Sequence, residues 1–271
     1  VALEYKEIIK DSYYHDKTGM LLNGDCLEWM PKFPDKSVDM ILCDLPYGTT
    51  ACKWDTIIPF EPLWKEYERI IKDNGAIVLT ASQPFTTELI HSNLELFKYE
   101  LIWQKSNPSN ISQANRCPLK YHENIAVFYK NPPTYNKQMI ERMDSGKKVV
   151  ADYKDKNQTF KHGATEHNNK TETTEYSADR YDVNFKNPSS VIYFKSERCH
   201  PRLHPTQKPI PLFEYLIKTY SNEGEIILDN TAGVCTTAIA SKNTNRRWIC
   251  IEKEQKYCDV SVERITNIIK S

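Results

Sequence analysis

The segment Asp44-Leu45-Pro46-Tyr47 holds the residue types that most directly suggest chemistry in this 271-residue chain. It follows the apolar run Met40-Ile41-Leu42-Cys43, which reads as a strand. In an open α/β sheet, ligands bind beyond the carboxyl ends of strands, so the four residues fall where a site is expected. An amino group on a nucleobase is a poor nucleophile, because its lone pair is delocalised into the ring. A carboxylate such as Asp44 and a carbonyl such as that of Leu45 can each accept one N–H. That holds the nitrogen and favours its pyramidal form, with the lone pair aimed at an electrophile. Pro46 fixes the backbone so that the carbonyl before it faces a pocket. The Tyr47 ring offers a stacking surface for a base taken out of a duplex. Alone, Asp-X-Pro-Tyr is also an ordinary strand-end turn, and the surrounding elements must decide.

Those elements recur regularly. Short apolar runs lie at 20–22, 38–43, 76–80, 101–103, 125–129, 226–228 and 248–251. Their length suits strands buried on both faces of a parallel sheet. Helical stripes fall between them. Leu63, Trp64, Tyr67, Ile70 and Ile71 share a face, and Asn74-Gly75 is the expected helix stop. Leu212, Phe213, Leu216, Ile217 and Tyr220 form a second stripe, and Tyr257, Val260, Ile265 and Ile268 a third. The alternation predicts a doubly wound, Rossmann-like α/β sheet. It breaks over residues 131–195, which are polar, poor in aliphatic residues and interspersed with aromatics such as Tyr135, Tyr153, Phe160 and Phe185. A loop-rich binding insertion and a flexible one without a role both fit such a stretch.

The order of further motifs narrows the reading. Asn23-Gly24-Asp25-Cys26-Leu27-Glu28 and Pro34 to Asp39 run straight into the Asp44 strand. Gly48 to Asp55 follows, then Tyr121-His122-Glu123. Toward the C-terminus come His204-Pro205-Thr206-Gln207-Lys208-Pro209 and Asp229-Asn230-Thr231-Ala232-Gly233-Val234-Cys235-Thr236-Thr237. This series resembles the amino-methylating DNA methyltransferases in their beta arrangement, a permuted methyltransferase sheet with the catalytic block ahead of the cofactor loop. The resemblance implies S-adenosylmethionine as cofactor, duplex DNA as substrate, Gly48–Asp55 as a mobile loop over the target base, and residues 131–195 as most of a target-recognition region. Residues 1–130 would be the catalytic half and 196–271 the cofactor-binding half. It implies adenine N6 as the target, since the cytosine-N4 branch more often opens its motif with Ser. A homodimer and a partner restriction nuclease are further partners compatible with it.

The cofactor residues can also be argued physically. A Gly-containing turn after a strand lets backbone N–H groups approach a ligand closely, which suits Asp229 to Gly233 with Thr236 and Thr237 behind it. Glu252, after Trp248–Ile251, stands where an acidic side chain can take both ribose hydroxyls. By resemblance, Asp25 with Cys26 addresses the adenine amino group, Thr206, Gln207 and Lys208 border the methionine end, and Asp44 serves both the cofactor's ammonium and the target amine. Two departures from the family pattern stand out. Leu45 replaces a proline, which leaves its carbonyl available. In the cofactor loop Asn230-Thr231 replaces Pro-Phe and Val234-Cys235 replaces Ser-Gly, and loss of that glycine is expected to place a side chain where backbone approaches the ligand, and to strain Cys235 if φ is positive there.

Lys and Arg balance Asp and Glu at 36 each, which argues against coating nucleic acid by charge alone. The eight cysteines fall singly, and with no apolar leader segment they suggest reduced thiols in a cytoplasmic protein. No apolar stretch approaches the roughly 20 residues that span a bilayer. Cys117 with His122, and Cys199-His200 with His204, lack a second Cys pair at zinc spacing, so no metal is expected. Cytosine-N4 methylation, methylation of RNA or a protein amide, and a non-catalytic DNA-binding relic remain as alternatives.

Overall fold

In the computed structural model, residues 5–49, 55–155, 159–161, 175–177, 182–196 and 207–268 are described. The chain divides into two units, 1–136 with 190–271, and 137–189. The first unit opens with α1 (Lys6–Lys10), β1 (Tyr14–His15), β2 (Gly19–Asn23), α2 (Cys26–Trp29), β3 (Val38–Asp44) and α3 (Phe60–Ile70). It continues with β4 (Ile71–Ala81), α4 (Phe85–Ser92), β5 (Phe97–Gln104) and β6 (His122–Phe128). The second unit holds β7 (Ile140–Glu141), α5 (Asp144–Asp155), β8 (Thr159–Lys161), β9 (Glu175–Ser177) and β10 (Phe185–Lys186). Its strands form two small antiparallel pairs, β7 with β10 and β8 with β9. The chain then returns to the first unit through β11 (Val191–Tyr193), α6 (Ile210–Tyr220), β12 (Ile226–Asp229), α7 (Thr236–Asn243), β13 (Arg247–Glu252) and α8 (Gln255–Ile268).

The seven apolar runs all become strands of one sheet, in the order β1-β2-β13-β12-β3-β4-β6-β5-β11. Strands β2, β13, β12, β3 and β4 are parallel, and β6 runs antiparallel to both of its neighbours. Alternate residues of each strand serve opposite faces, as period two requires. Ile41, Cys43, Ile77, Leu79, Leu228 and Ile251 pack with Leu63, Tyr67 and Ile70 of α3. Met40, Leu42, Val78 and Ile227 pack with Leu212, Leu216 and Ile217 of α6 on the other face. Helices therefore cover both faces, and the fold is the expected doubly wound α/β sheet.

The first helical stripe ends differently from expectation. Helix α3 stops at Ile70, and Ile71 is already extended, so Asn74-Gly75 lies inside β4. The reason Gly75 is glycine is contact: a Cβ there would lie 2.7 Å from the Asp39 carbonyl. A similar constraint fixes the seam between the two ends of the chain. Gly19 of β2 pairs with Trp248 of β13, and a Cβ on Gly19 would lie 2.2 Å from the Trp248 carbonyl. The neighbour is backbone with a fully buried indole, so it cannot yield cheaply. Gly19→Ala is expected to destabilise the fold by about 1–3 kcal/mol or more, the scale of core overpacking. Chemical denaturation measures it; an unchanged midpoint would show that the seam can open.

Candidate active site

Parallel strands deliver their carboxyl ends to one edge, and β3, β12, β13 and β2 end there together. Below that edge lies a cavity of about 320 Å³. Its walls include Asp44, Leu45, Pro46 and Tyr47 after β3, and Asp25 and Cys26 after β2. Asp229 to Gly233 and Thr236 follow β12, Glu252 ends β13, and Gln207 and Lys208 precede α6. Of the residues expected to form a site, Thr237 stands behind the wall, fully buried and donating to Asp229 Oδ2 at 2.5 Å. Thr206, and most of the Lys53-Trp54-Asp55 loop, lie outside the described residues. Asp55 is described and accepts from the Gly48 and Thr49 amides at 2.9 and 3.0 Å. It thus folds the start of that loop back on its end.

Asp44 is held at every side. Its Oδ1 accepts from the Tyr47 hydroxyl at 2.7 Å and from the Thr80 hydroxyl at 2.5 Å. Thr80 reaches it because β4 pairs Thr80 directly with Asp44. Oδ2 accepts from Lys208 Nζ at 2.6 Å. A carboxylate offers about two acceptor positions per oxygen. Oδ1 is therefore saturated, while Oδ2 keeps one position beside Lys208. Lys208 also lies 3.5 Å from Glu123 Oε2, and Lys105 Nζ contacts Glu123 Oε1 at 2.8 Å. Burial pushes Lys208 toward neutrality, but the Asp44 and Glu123 carboxylates outweigh it and hold the ammonium above the ordinary lysine range. The Tyr47 ring stacks on Phe85, with centroids 5.1 Å apart. Burial, then the neighbouring Asp44 and Glu123, push its phenol well up, so it remains a donor.

The cavity residues at the ends of β2, β12 and β13 are tied just as closely. Glu252 accepts the Gly233 amide at 2.7 Å and the Glu254 amide at 2.8 Å. Burial nevertheless pushes its carboxyl up to about 7. Burial does the same to Asp229, also to about 7, against hydrogen bonds from Thr237 and the Thr231 amide. Asp25 caps α2 through the Leu27 amide and pairs with Lys253 at 3.0 Å. Asn230 Oδ1 accepts from Tyr67 and Cys43 at 2.5 and 2.8 Å. Its Nδ2 is buried without a hydrogen-bond partner among the described residues.

Cys235 adopts φ 55°, ψ 44°, the left-handed conformation expected where the family has glycine. The expected intrusion toward the ligand is corrected. The Cys235 side chain is fully buried with Leu21, Trp248 and Cys250 on the far side of the loop, and it does not line the cavity. Gly233, also left-handed, turns the chain at the wall, with its carbonyl held by Ser261 of α8 at 3.2 Å. Other cavity residues carried no signal as site residues: Phe213 and Tyr257 read as positions on helical stripes, and Ile57 and Ile58 belong to no motif. Among the described residues no group of three His, Cys, Asp or Glu side chains is gathered to hold a metal.

Two measurements follow from this electrostatics and backbone geometry. Asp229 and Glu252 ionise near 7 when folded, whereas free carboxyls ionise near ~4. The folded chain keeps protons that the unfolded chain has lost, so this stabilisation is complete below about pH 4 and is lost as pH rises through about 7. The stability of Asp229→Asn with Glu252→Gln should therefore change less across pH 4–7 than that of the parent; parallel profiles would refute the raised carboxyls. For the loop, Cys235→Gly and Cys235→Ala both delete the thiol, but only glycine relieves the left-handed strain. The glycine variant should be the more stable by roughly 1–2 kcal/mol; equal melting would place no strain at 235.

The chain is similar along most of its length to known DNA methyltransferases. It is 27% identical to the DNA adenine methyltransferase YhdJ of Escherichia coli, over 90% of this chain and 82% of that protein. It is 25% identical to the type II methyltransferase M.HinfI of Haemophilus influenzae, over 94% and 70%. Among solved structures, the PvuII cytosine-N4-specific DNA methyltransferase superposes with a TM-score of 0.64 at 15% identity, covering 95% of this chain and 93% of that one. The M1.HpyAVI–SAM complex gives 0.60 at 21% identity, covering 91% and 98%. The two solved structures share the fold described above, and the sequence pattern of the family described as DNA methylase matches residues 38–263, which makes this chain a member of that family.

Proposed function

We propose that the chain transfers a methyl group from S-adenosylmethionine to the N6 amino group of adenine in a specific duplex DNA sequence. The observation that carries this reading is a single cavity lined both by Asp44–Tyr47 and by Gly233 and Glu252. Acceptors suited to an amine thus share a space with groups suited to a nucleoside. The residues present fit a cationic sulfonium cofactor: six carboxyl side chains (Asp25, Asp44, Asp55, Asp229, Glu252 and Glu254) line the cavity against the two ammoniums of Lys208 and Lys253. The unpartnered Asn230 Nδ2 supports a ligand acceptor at the same wall.

In this reading Glu252 takes the ribose hydroxyls, and Asp25 with Cys26 meets the adenine edge. Thr206, Gln207 and Lys208 border the methionine end. Asp229, Asn230, Thr231, Ala232, Gly233 and Thr236 form the loop against which the cofactor lies, and Thr237 orients Asp229. When bound, the cofactor supplies an electrophilic methyl group. The chain supplies alignment: the remaining position on Asp44 Oδ2 and the Leu45 carbonyl accept the two N–H bonds of the target amine. Tyr47 and Thr80 fix the rotation of the Asp44 carboxylate, and the Tyr47 ring gives the extruded base a surface to lie against. Asp44 opening the motif, and the adenine activity named for the Escherichia coli relative, favour N6. The cytosine-N4 specificity named for the PvuII enzyme, whose fold is shared, sustains N4 as the second reading. Residues 131–195 are proposed as most of the target-recognition region.

Incubation with labelled S-adenosylmethionine and mixed-sequence duplex DNA, followed by digestion to nucleosides, should yield N6-methyladenine. N4-methylcytosine alone would move the assignment to cytosine. Asp44→Ala should lower turnover by roughly 10²–10³-fold, the scale for one preorganised hydrogen-bonding group. Retained turnover would remove Asp44 from the reaction.

A further inference from the structure

The row Lys105–Glu123–Lys208–Asp44 alternates in charge and is almost wholly withdrawn from water. Lys105 and Lys208 are 7% and 6% exposed, and the Glu123 side chain 16%. Only Asp44 and Lys208 of the four line the cavity. Exposed ion pairs contribute little, but a charge left alone in a poorly solvated site acts strongly on its neighbours. The row is built by topology: β6 enters between β4 and β5, with Glu123 opposite Trp103 and Asn124 opposite Ala81. Glu123 is thereby set between an ammonium from the end of β5 and one from the approach to α6.

Without Glu123, Lys105 would lose its ion pair and Lys208 would keep only the Asp44 carboxylate. A surplus positive charge would then adjoin the cavity proposed to bind a cation. With Glu123, the four charges sum to zero. The other charged or titratable groups acting on this row are Lys120, a further cation that faces Glu123 and Lys105, Tyr47, which faces Asp44 and Glu123, and Asp229, which faces Asp44. Although burial pushes Glu123 up, Lys208 and Lys105 together hold it below the ordinary glutamate range, in keeping with an ionised bridge.

Resting on the cofactor reading above, we propose that Glu123 is a positioning residue that offsets one of the two positive charges of Lys105 and Lys208, Asp44 offsetting the other, and thereby makes the Asp44 end of the cavity receptive to a sulfonium rather than to its neutral thioether. Lys105 acts in the opposite sense through Glu123. Lys208 orients Asp44 directly and occupies one of its acceptor positions.

Calorimetric titration with S-adenosylmethionine and with S-adenosylhomocysteine isolates the sulfonium charge, because the two ligands differ by one methyl and one positive charge. Glu123→Gln should lower the ratio of sulfonium to thioether affinity by roughly tenfold, the order expected of one unit charge in a partly buried site. Lys105→Met should raise the ratio, and Glu123→Asp should restore it. Should Glu123→Gln fail to fold, Lys105→Met carries the test alone. A merely structural role would weaken both ligands in parallel; an unchanged ratio, or a shift of the same sign in Glu123→Gln and Lys105→Met, overturns the proposal. A parent protein that binds neither ligand would overturn the cofactor reading and this inference with it, whereas an unchanged ratio removes only the role of Glu123.

Discussion

Everything at the site depends on β12 entering the sheet beside β3. The two strands come from opposite ends of the chain, yet Ile227 and Leu228 pair in parallel with Met40 and Ile41. Parallel pairing sends Asp44 and Asp229 out of the sheet at the same edge. Cross-links then fasten the two loops: Thr231 Oγ1 donates to the Asp44 carbonyl at 3.1 Å, and the Cys43 thiol donates to Asn230 Oδ1. A chain that supplies Asp44–Tyr47 early and its glycine turn late brings the two to one cavity through this pairing. The neighbouring seam, β2 against β13, brings Asp25 and Glu252 to the same edge by the same logic.

Burial at that edge has a chemical consequence. Glu252 spends its carboxylate on the Gly233 and Glu254 amides, which shapes the glycine turn before any ligand arrives. The low solvation that raises Glu252 and Asp229 also strengthens every other charge interaction nearby. A buried ammonium there needs a carboxylate beside it, and Lys208 meets Asp44; the Lys253–Asp25 pair lies at the exposed rim.

The central strands were legible because each is an apolar run buried on two faces, a pattern that survives without tertiary context; β5 was legible from Leu101-Ile102-Trp103 although only Trp103 of the three is buried. Asp44–Tyr47, Glu252 and the glycine turn were legible for a related reason: each follows such a run, and strand ends are where ligands go. Asn74-Gly75 misled because a glycine that stops a helix and a glycine that admits a neighbouring carbonyl look alike in sequence. Cys235 was legible in backbone and not in side chain. A missing glycine reports the φ angle, but the direction of the thiol depends on Leu21 and Trp248, which come from two different strands. The charge row was the least legible part. Lys105, Glu123 and Lys208 lie on three separate segments: β6, reversed between β4 and β5, sets Glu123 beside Lys105, and the approach to α6 brings Lys208 to Glu123 and Asp44.

Tyr47 shows how this scaffold reconciles stiffness with access. Its hydroxyl is committed to Asp44 and Thr80, and its ring is packed on Phe85 of α4. Lys208 Nζ lies 5.6 Å from the ring centre, close enough for a cation–π contribution. A side chain with so many partners loses little further freedom when a planar ring lies against it, so ordering it costs little at the moment of binding. The same partners set the plane of the Asp44 carboxylate. The surface that would receive a base and the acceptor that would hold its amine are thus parts of one rigid assembly, and a base lying against Tyr47 would have its exocyclic nitrogen presented to Asp44 without a separate adjustment.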